Sequence, residues 1–242
     1  MYELEQTIIT HIHKFEHEKA KELILKHHAT LDINHKLKGN PKTKSLLGDT
    51  ILIAACRRNQ NEIVKMILSL KFLYPIDLNL SDDVAGFTPL HIVCARMNKP
   101  NPELLKILLN ESGIKIHTGG VFGLSSLSSS VLSKDDQILK LILAYSNNDL
   151  GYTYTRKAHI KTISSIEHVT RIINQCHTKI RGHFYHDRNL EQRVRLLENF
   201  KSNPNKTRRL LKLELGIGQN EAANVFVLTK MIVYGYMEIK NS

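Results

Sequence analysis

The feature that most constrains this chain is a string that recurs. Thr50-Ile-Leu-Ile-Ala-Ala-Cys56 returns 38 residues later as Thr88-Pro-Leu-His-Ile-Val-Cys94. Each copy is followed by a second apolar string, Glu62-Ile-Val-Lys-Met-Ile-Leu68 and Glu103-Leu-Leu-Lys-Ile-Leu-Leu109. A short helical pair of this kind cannot bury its apolar face alone, so the chain must stack similar pairs.

The stretch 86–116 shows how one pair is specified. Gly86 tolerates the positive φ of an incoming loop. Thr88 is a helix N-cap, and Pro89 follows at the first helical position, where its missing N–H costs nothing. Leu90, Val93 and Cys94 recur at helical spacing. A second helix is expected over Glu103–Asn110, carrying Leu104, Leu105, Ile107, Leu108 and Leu109. Upstream, Thr7-Ile-Ile-Thr-His-Ile-His13 and Lys19-Ala-Lys-Glu-Leu-Ile-Leu25 lie 43 residues before the strings that begin at Thr50 and Glu62. Downstream, Ser125 stands 37 residues after Thr88, ahead of Gln137-Ile-Leu-Lys-Leu-Ile-Leu143. Four units follow, near 3–34, 46–79, 84–116 and 121–150, together forming an array over 1–150.

The Thr88-Pro-Leu-His91 string and its repetition resemble the ankyrin-repeat family. The resemblance implies an all-α solenoid of helix–turn–helix units with loop fingers. It also implies a non-enzymatic scaffold for protein–protein interaction through a concave groove. His91 belongs to the signature and is expected to bond a neighbouring loop's backbone. The fourth unit departs from the pattern, with a serine-rich string in place of the signature. Asn59 stands where the repeat usually has glycine, and Asn also adopts the left-handed conformation.

Residues 151–242 read as a basic helical cap. Amphipathic helices are expected over His159–Lys179 (Ile160, Ile163, Ile166, Val169, Ile172, Ile173), Asp187–Phe200 and Lys206–Leu215, with an apolar one over Asn220–Ile239. The segment around Asn203, Pro204, Thr207, Arg208, Glu214, Leu215 and Gly216 resembles the tail that closes many eukaryotic ankyrin proteins, which implies a helical cap with no known chemistry.

Charge divides the chain. Of the net +11, residues 151–242 hold +9, from 16 Lys and Arg against 7 Asp and Glu. Such asymmetry points to an acidic partner. Three cysteines do not make a secreted disulfide framework. No signal peptide and no transmembrane run of 18 apolar residues is read in the sequence, so a cytoplasmic or nuclear location is expected. Cys176, His177, His183 and His186 do not follow structural zinc spacing. Phosphate loop, dinucleotide fingerprint and nucleophile elbow are missing, so no enzyme activity, cofactor or metal is expected.

Partner-binding candidates come from the positions just after each first helix. Aligned on Thr7, Thr50, Thr88 and Ser125, these are Lys14 and Phe15, Arg57 and Arg58, Ala95 and Arg96, and Leu132 and Ser133. Asn59, Met97 and Lys134 follow one step on. Lys14, Phe15, Arg57, Arg58, Arg96, Met97 and Lys134 thus form a row of cations with apolar anchors, suited to an acidic, partly apolar protein segment. Lys36, Lys38, Lys42 and Lys44 form a secondary basic finger. The alternative is binding of nucleic acid or another polyanion by the basic C-terminal helices.

Overall fold

The computed structural model describes residues 3–38, 48–95, 99–116, 118–120, 124–133, 135–146, 152–156, 159–181 and 189–218. Four helical pairs succeed one another: α1 (Glu3–His13) with α2 (His17–His27), α3 (Ile51–Arg57) with α4 (Asn61–Ser69), α5 (Pro89–Cys94) with α6 (Pro102–Leu109), and α7 (Ser126–Val131) with α8 (Asp136–Tyr145). The first helices pack in sequence, α3 on α1, α5 on α3 and α7 on α5. The second helices make another layer, α6 between α4 and α8.

Local chemistry sets where the first helices begin. The Thr50 hydroxyl accepts from the Ile53 N–H at 3.2 Å. Thr88 and His91 form a reciprocal box, as do Ser125 and Ser128. Each satisfies N–H groups that the first helical turn leaves unpaired. The serine-rich fourth unit therefore does form its helix. Ser130, which is buried, donates back to the Leu127 carbonyl at 2.7 Å.

Packing explains why α3 shows no amphipathic period: Ile51 through Cys56 are all buried, because neighbours cover the helix on several sides. Ile8, Ile9, Ile12, Leu104, Leu105, Leu108, Ile138, Leu139 and Ile142 are fully buried and continue the same core. Burying one such side chain stabilises by about 1.5–3 kcal/mol. Asparagine clamps join successive units at the loop side. Asn34 donates to the Pro75 carbonyl at 2.8 Å and accepts from the Asp77 N–H at 2.9 Å. Asn79 does the same with the Gly113 carbonyl and the Lys115 N–H, at 2.9 and 2.8 Å.

After α8 the chain forms a hairpin, β1 (Tyr152–Arg156) and β2 (His159–Ile163), antiparallel with Tyr152 opposite Ile163. Then come α9 (Ser165–Arg181), α10 (Leu190–Ser202) and α11 (Pro204–Glu214). The expected helix from His159 thus begins later, at Ser165, with Ile160 and Ile163 on a strand. Alternating Tyr-Thr-Tyr-Thr opposite Ile-Lys-Thr-Ile favours paired extended chains over a helix. The turn at Asn203-Pro204 starts α11, with Asn203 accepting from the Lys206 N–H at 3.1 Å and Thr207 donating to the Asn199 carbonyl at 3.1 Å. The helix ends at Gly216, φ 67°, where the Ile217 N–H reaches the Lys212 carbonyl at 2.8 Å; this is a glycine-terminated helix end. The helix expected over 220–239 lies outside the described residues.

Both α10 and α11 pack on α8. Arg193, 2 % exposed, sends its Nε to Asp136 Oδ1 at 2.6 Å and its Nη1 to the Val131 carbonyl at 3.2 Å. His168 Nε2 lies 2.9 Å from the Ser125 hydroxyl. Part of the tail's basic charge therefore serves as internal fastening.

Candidate partner-binding surface

The candidate surface lies at the turns joining the paired helices. In the first unit α1 ends at His13, and Lys14 and Phe15 make the turn. In the second, α3 ends at Arg57, and Arg58 and Asn59 make it. Phe15 at φ 62° and Asn59 at φ 55° are equivalent. The structure thus pairs Lys14 with Arg58 and Phe15 with Asn59, one residue away from the alignment on Thr7 and Thr50. The reason is local. Thr7 is no cap; it sits inside α1 and its hydroxyl donates to the Glu3 carbonyl at 2.7 Å.

A left-handed Phe costs roughly 1–2 kcal/mol, and its surroundings offset this. The Arg58 guanidinium lies over the Phe15 ring, 5.1 Å from its centroid, and His17 meets it edge-on at 6.0 Å. Arg58 Nε donates to His13 Nδ1 at 3.1 Å. The ring proton of His13 therefore sits on Nε2, which lies 3.3 Å from Asp49 Oδ2. Phe15 remains 55 % exposed and Lys14 is exposed. Among the described residues, neither Lys14 nor Arg58 makes an ion pair with a carboxylate.

Arg57 is different. Its Nε and Nη2 grip the fully buried Asp49 at 3.1 and 2.8 Å, and Nη2 also reaches Asp82 at 3.0 Å. Burial works against the charge, but the Asp49 and Asp82 carboxylates outweigh it and raise the guanidinium's pKa. Asp82 in turn holds the next loop, accepting from the Ala85 N–H at 2.7 Å. Asp49, Arg57 and Asp82 thus form an ionic ladder from the second unit to the loop before the third, with the His13 ring beside Asp49. Arg57 belongs to this fastening and not to the free row. Sequence reasoning missed Asp49 and Asp82; the signal was an acid directly before the Thr50 cap.

The remaining candidates divide as follows. Arg96, Met97 and Lys134 lie outside the described residues, as do Lys42 and Lys44. Lys36 Nζ is tied to Asp83 Oδ1 at 2.7 Å, and Lys38 is exposed. In the fourth unit Leu132, one of the aligned positions, lines an open cavity of about 430 Å³ between α7 and α9, with Val131, Ile172 and Cys176.

His91 has a structural post. Its Nδ1 lies 2.8 Å from the Thr88 hydroxyl and its ring stacks on Phe87. The backbone of Thr118 and Leu124 in the next loop approaches the ring, but among the described residues the buried Nε2 makes no hydrogen bond, so the expected bond to a neighbouring loop is not formed. Burial lowers its pKa to about 4, against the pull of those backbone contacts. Cys176 is buried, and His177 Nε2 lies 3.6 Å from Glu198; His183 and His186 are outside the described residues. Among the described residues no group of three or more side chains could hold a metal, and no helix is long and apolar enough to cross a membrane.

No curated protein matches the chain. Residues 8–119 match the family model for ankyrin repeats in three copies; the pair α7 and α8 lies beyond that segment and repeats its architecture. With capped Thr-Pro-Leu-His geometry, stacked helical pairs and this match, residues 8–119 are an array of ankyrin repeats.

Proposed function

We propose that the chain is a non-enzymatic interaction module that takes an acidic, partly apolar segment of a partner protein along its row of inter-helix turns. Ankyrin repeats are generally protein–protein interaction modules; the acidic partner and the row are our reading. The observation that carries it is Arg58. Its guanidinium is held in place by His13 and Phe15 yet has no carboxylate partner among the described residues. A pre-oriented guanidinium meets a carboxylate with little ordering cost. Phe15 beside it, and the apolar cavity at Leu132, offer anchors at the two ends of the row. We place this action in the cytoplasm or nucleus, where buried thiols such as Cys56, Cys94 and Cys176 stay reduced.

The test is Lys14→Glu with Arg58→Glu in the full chain, assayed by capture of partner proteins followed by their identification. The variant should stay folded, melting a few degrees lower through loss of the Arg58 contacts to His13 and Phe15, since the half-exposed charges themselves contribute little to stability. It should lose the captured acidic protein by charge reversal. Retention of the same protein by a folded variant refutes the proposal.

A further inference from the structure

Helix α11 has two unlike faces. Thr207 and Leu211 are buried on the side that packs on α8 and α10. Lys206, Arg209, Leu210 and Leu213 are all exposed and spaced i, i+3, i+4, i+7, so they share the opposite face. Leu210 is 56 % and Leu213 53 % exposed. Lys212, also exposed, flanks them. The acidic residue on the helix, Glu214, is paired with Lys140. Among the described residues, Lys206, Arg209 and Lys212 pair with no carboxylate.

We infer that this face of α11 docks on an anionic membrane surface. A helix that presents leucines between cations, at low net hydrophobicity, lies in the headgroup layer with its leucines at the acyl boundary and its cations on lipid phosphates and carboxylates. One such face binds weakly and reversibly, so the attachment is peripheral. The inference is independent of the partner proposed for the inter-helix turns, because α11 lies on α8, away from α1 and α3.

The experiment is co-sedimentation of the full chain with vesicles of phosphatidylcholine alone and with 30 % phosphatidylserine (about 0.1 M salt). The chain should pellet with the anionic vesicles only. Lys206→Gln with Arg209→Gln should lower the partition roughly thirtyfold, at about one kilocalorie per cation near the surface. Leu210→Ser with Leu213→Ser should lower it roughly tenfold or more at unchanged net charge. Both variants should keep the parent's melting temperature, because the four side chains are exposed. Equal binding to neutral vesicles overturns the inference, as does binding insensitive to either pair. A leucine variant that melts several degrees lower overturns it too, since the face is then covered within the chain. So does a parent dimer that the leucine variant makes monomeric. Loss of duplex DNA binding in the cationic variant, with vesicle binding intact, assigns the charges to nucleic acid instead.

Discussion

Replacing Arg193 by Met tests whether the tail is fastened to the array or merely follows it. The substitution keeps much of the side chain's volume and removes its charge. It deletes the bond to Asp136 Oδ1 at 2.6 Å and the bond to the Val131 carbonyl at 3.2 Å. Removing one partner of a buried ion pair typically costs about 3–5 kcal/mol. Here the partner can recover part of that loss. The Asp136 side chain is 31 % exposed and sits at the start of α8, where water and the helix dipole accommodate it. The Val131 carbonyl bond at the end of α7 is buried, and losing a bond to a buried acceptor costs about 1–3 kcal/mol. The net expectation is about 3 kcal/mol. For a chain of this length that lowers the melting temperature by roughly 6–12 °C. Hydrogen exchange should localise the effect: α8, α10 and α11 lose protection while α1 and α2 keep theirs. Asp136→Asn added to Arg193→Met should cost little more. A variant with unchanged melting, or one that loses protection uniformly, refutes the idea that Arg193 couples the tail to the fourth unit.

Acid should destabilise the chain through His91. Its folded pKa of about 4 lies below the ordinary 6.5, so the stability gained by keeping the ring neutral is full above pH 6.5 and is lost as pH falls toward 4. The loss is about 3 kcal/mol over that window. His91→Gln retains a capping side chain at the same position, and the parent's advantage over it should shrink by this amount between pH 7 and pH 4 in urea titrations. An advantage flat with pH would sink the account of a neutral buried ring. Gly120→Ala should destabilise by about 1–3 kcal/mol through overpacking, because a Cβ there would lie 2.8 Å from the Ala85 carbonyl and from the Phe87 ring. An alanine variant as stable as the parent in urea would show that this loop yields.

The stacked pairs were legible because each is specified locally. Thr50, Thr88 and Ser125 cap helices that apolar strings extend, and the serine-rich fourth unit keeps the cap even where the signature fails. What escaped was set by contacts distant in sequence. Arg57 and Arg58 look alike as neighbours in a chain. Only the fold brings Asp82 to one and His13 to the other. The first unit's register slipped because α1 begins at Glu3, so Thr7 resembles a cap without being one. The hairpin escaped because Ile160 and Ile163 fit a helical stripe as well as a strand, and pairing with 152–156 decides between them. The inward turn of Arg193 had no sequence signal; a cation in a basic helix looks solvated until Asp136 is placed beside it.

The most direct measurement places a photo-crosslinking residue at Phe15 and, separately, at Leu213 in the otherwise intact chain. Phe15 is 55 % exposed beside the ordered Arg58, and Leu213 is 53 % exposed on the tail, so both sites accept the probe without disturbing the core. The proposed function predicts that position 15 crosslinks to an acidic, partly apolar peptide of the partner protein, and that Arg58→Glu abolishes this crosslink. A partner protein captured only from position 213, or a peptide at position 15 without acidic character that survives Arg58→Glu, would contradict it.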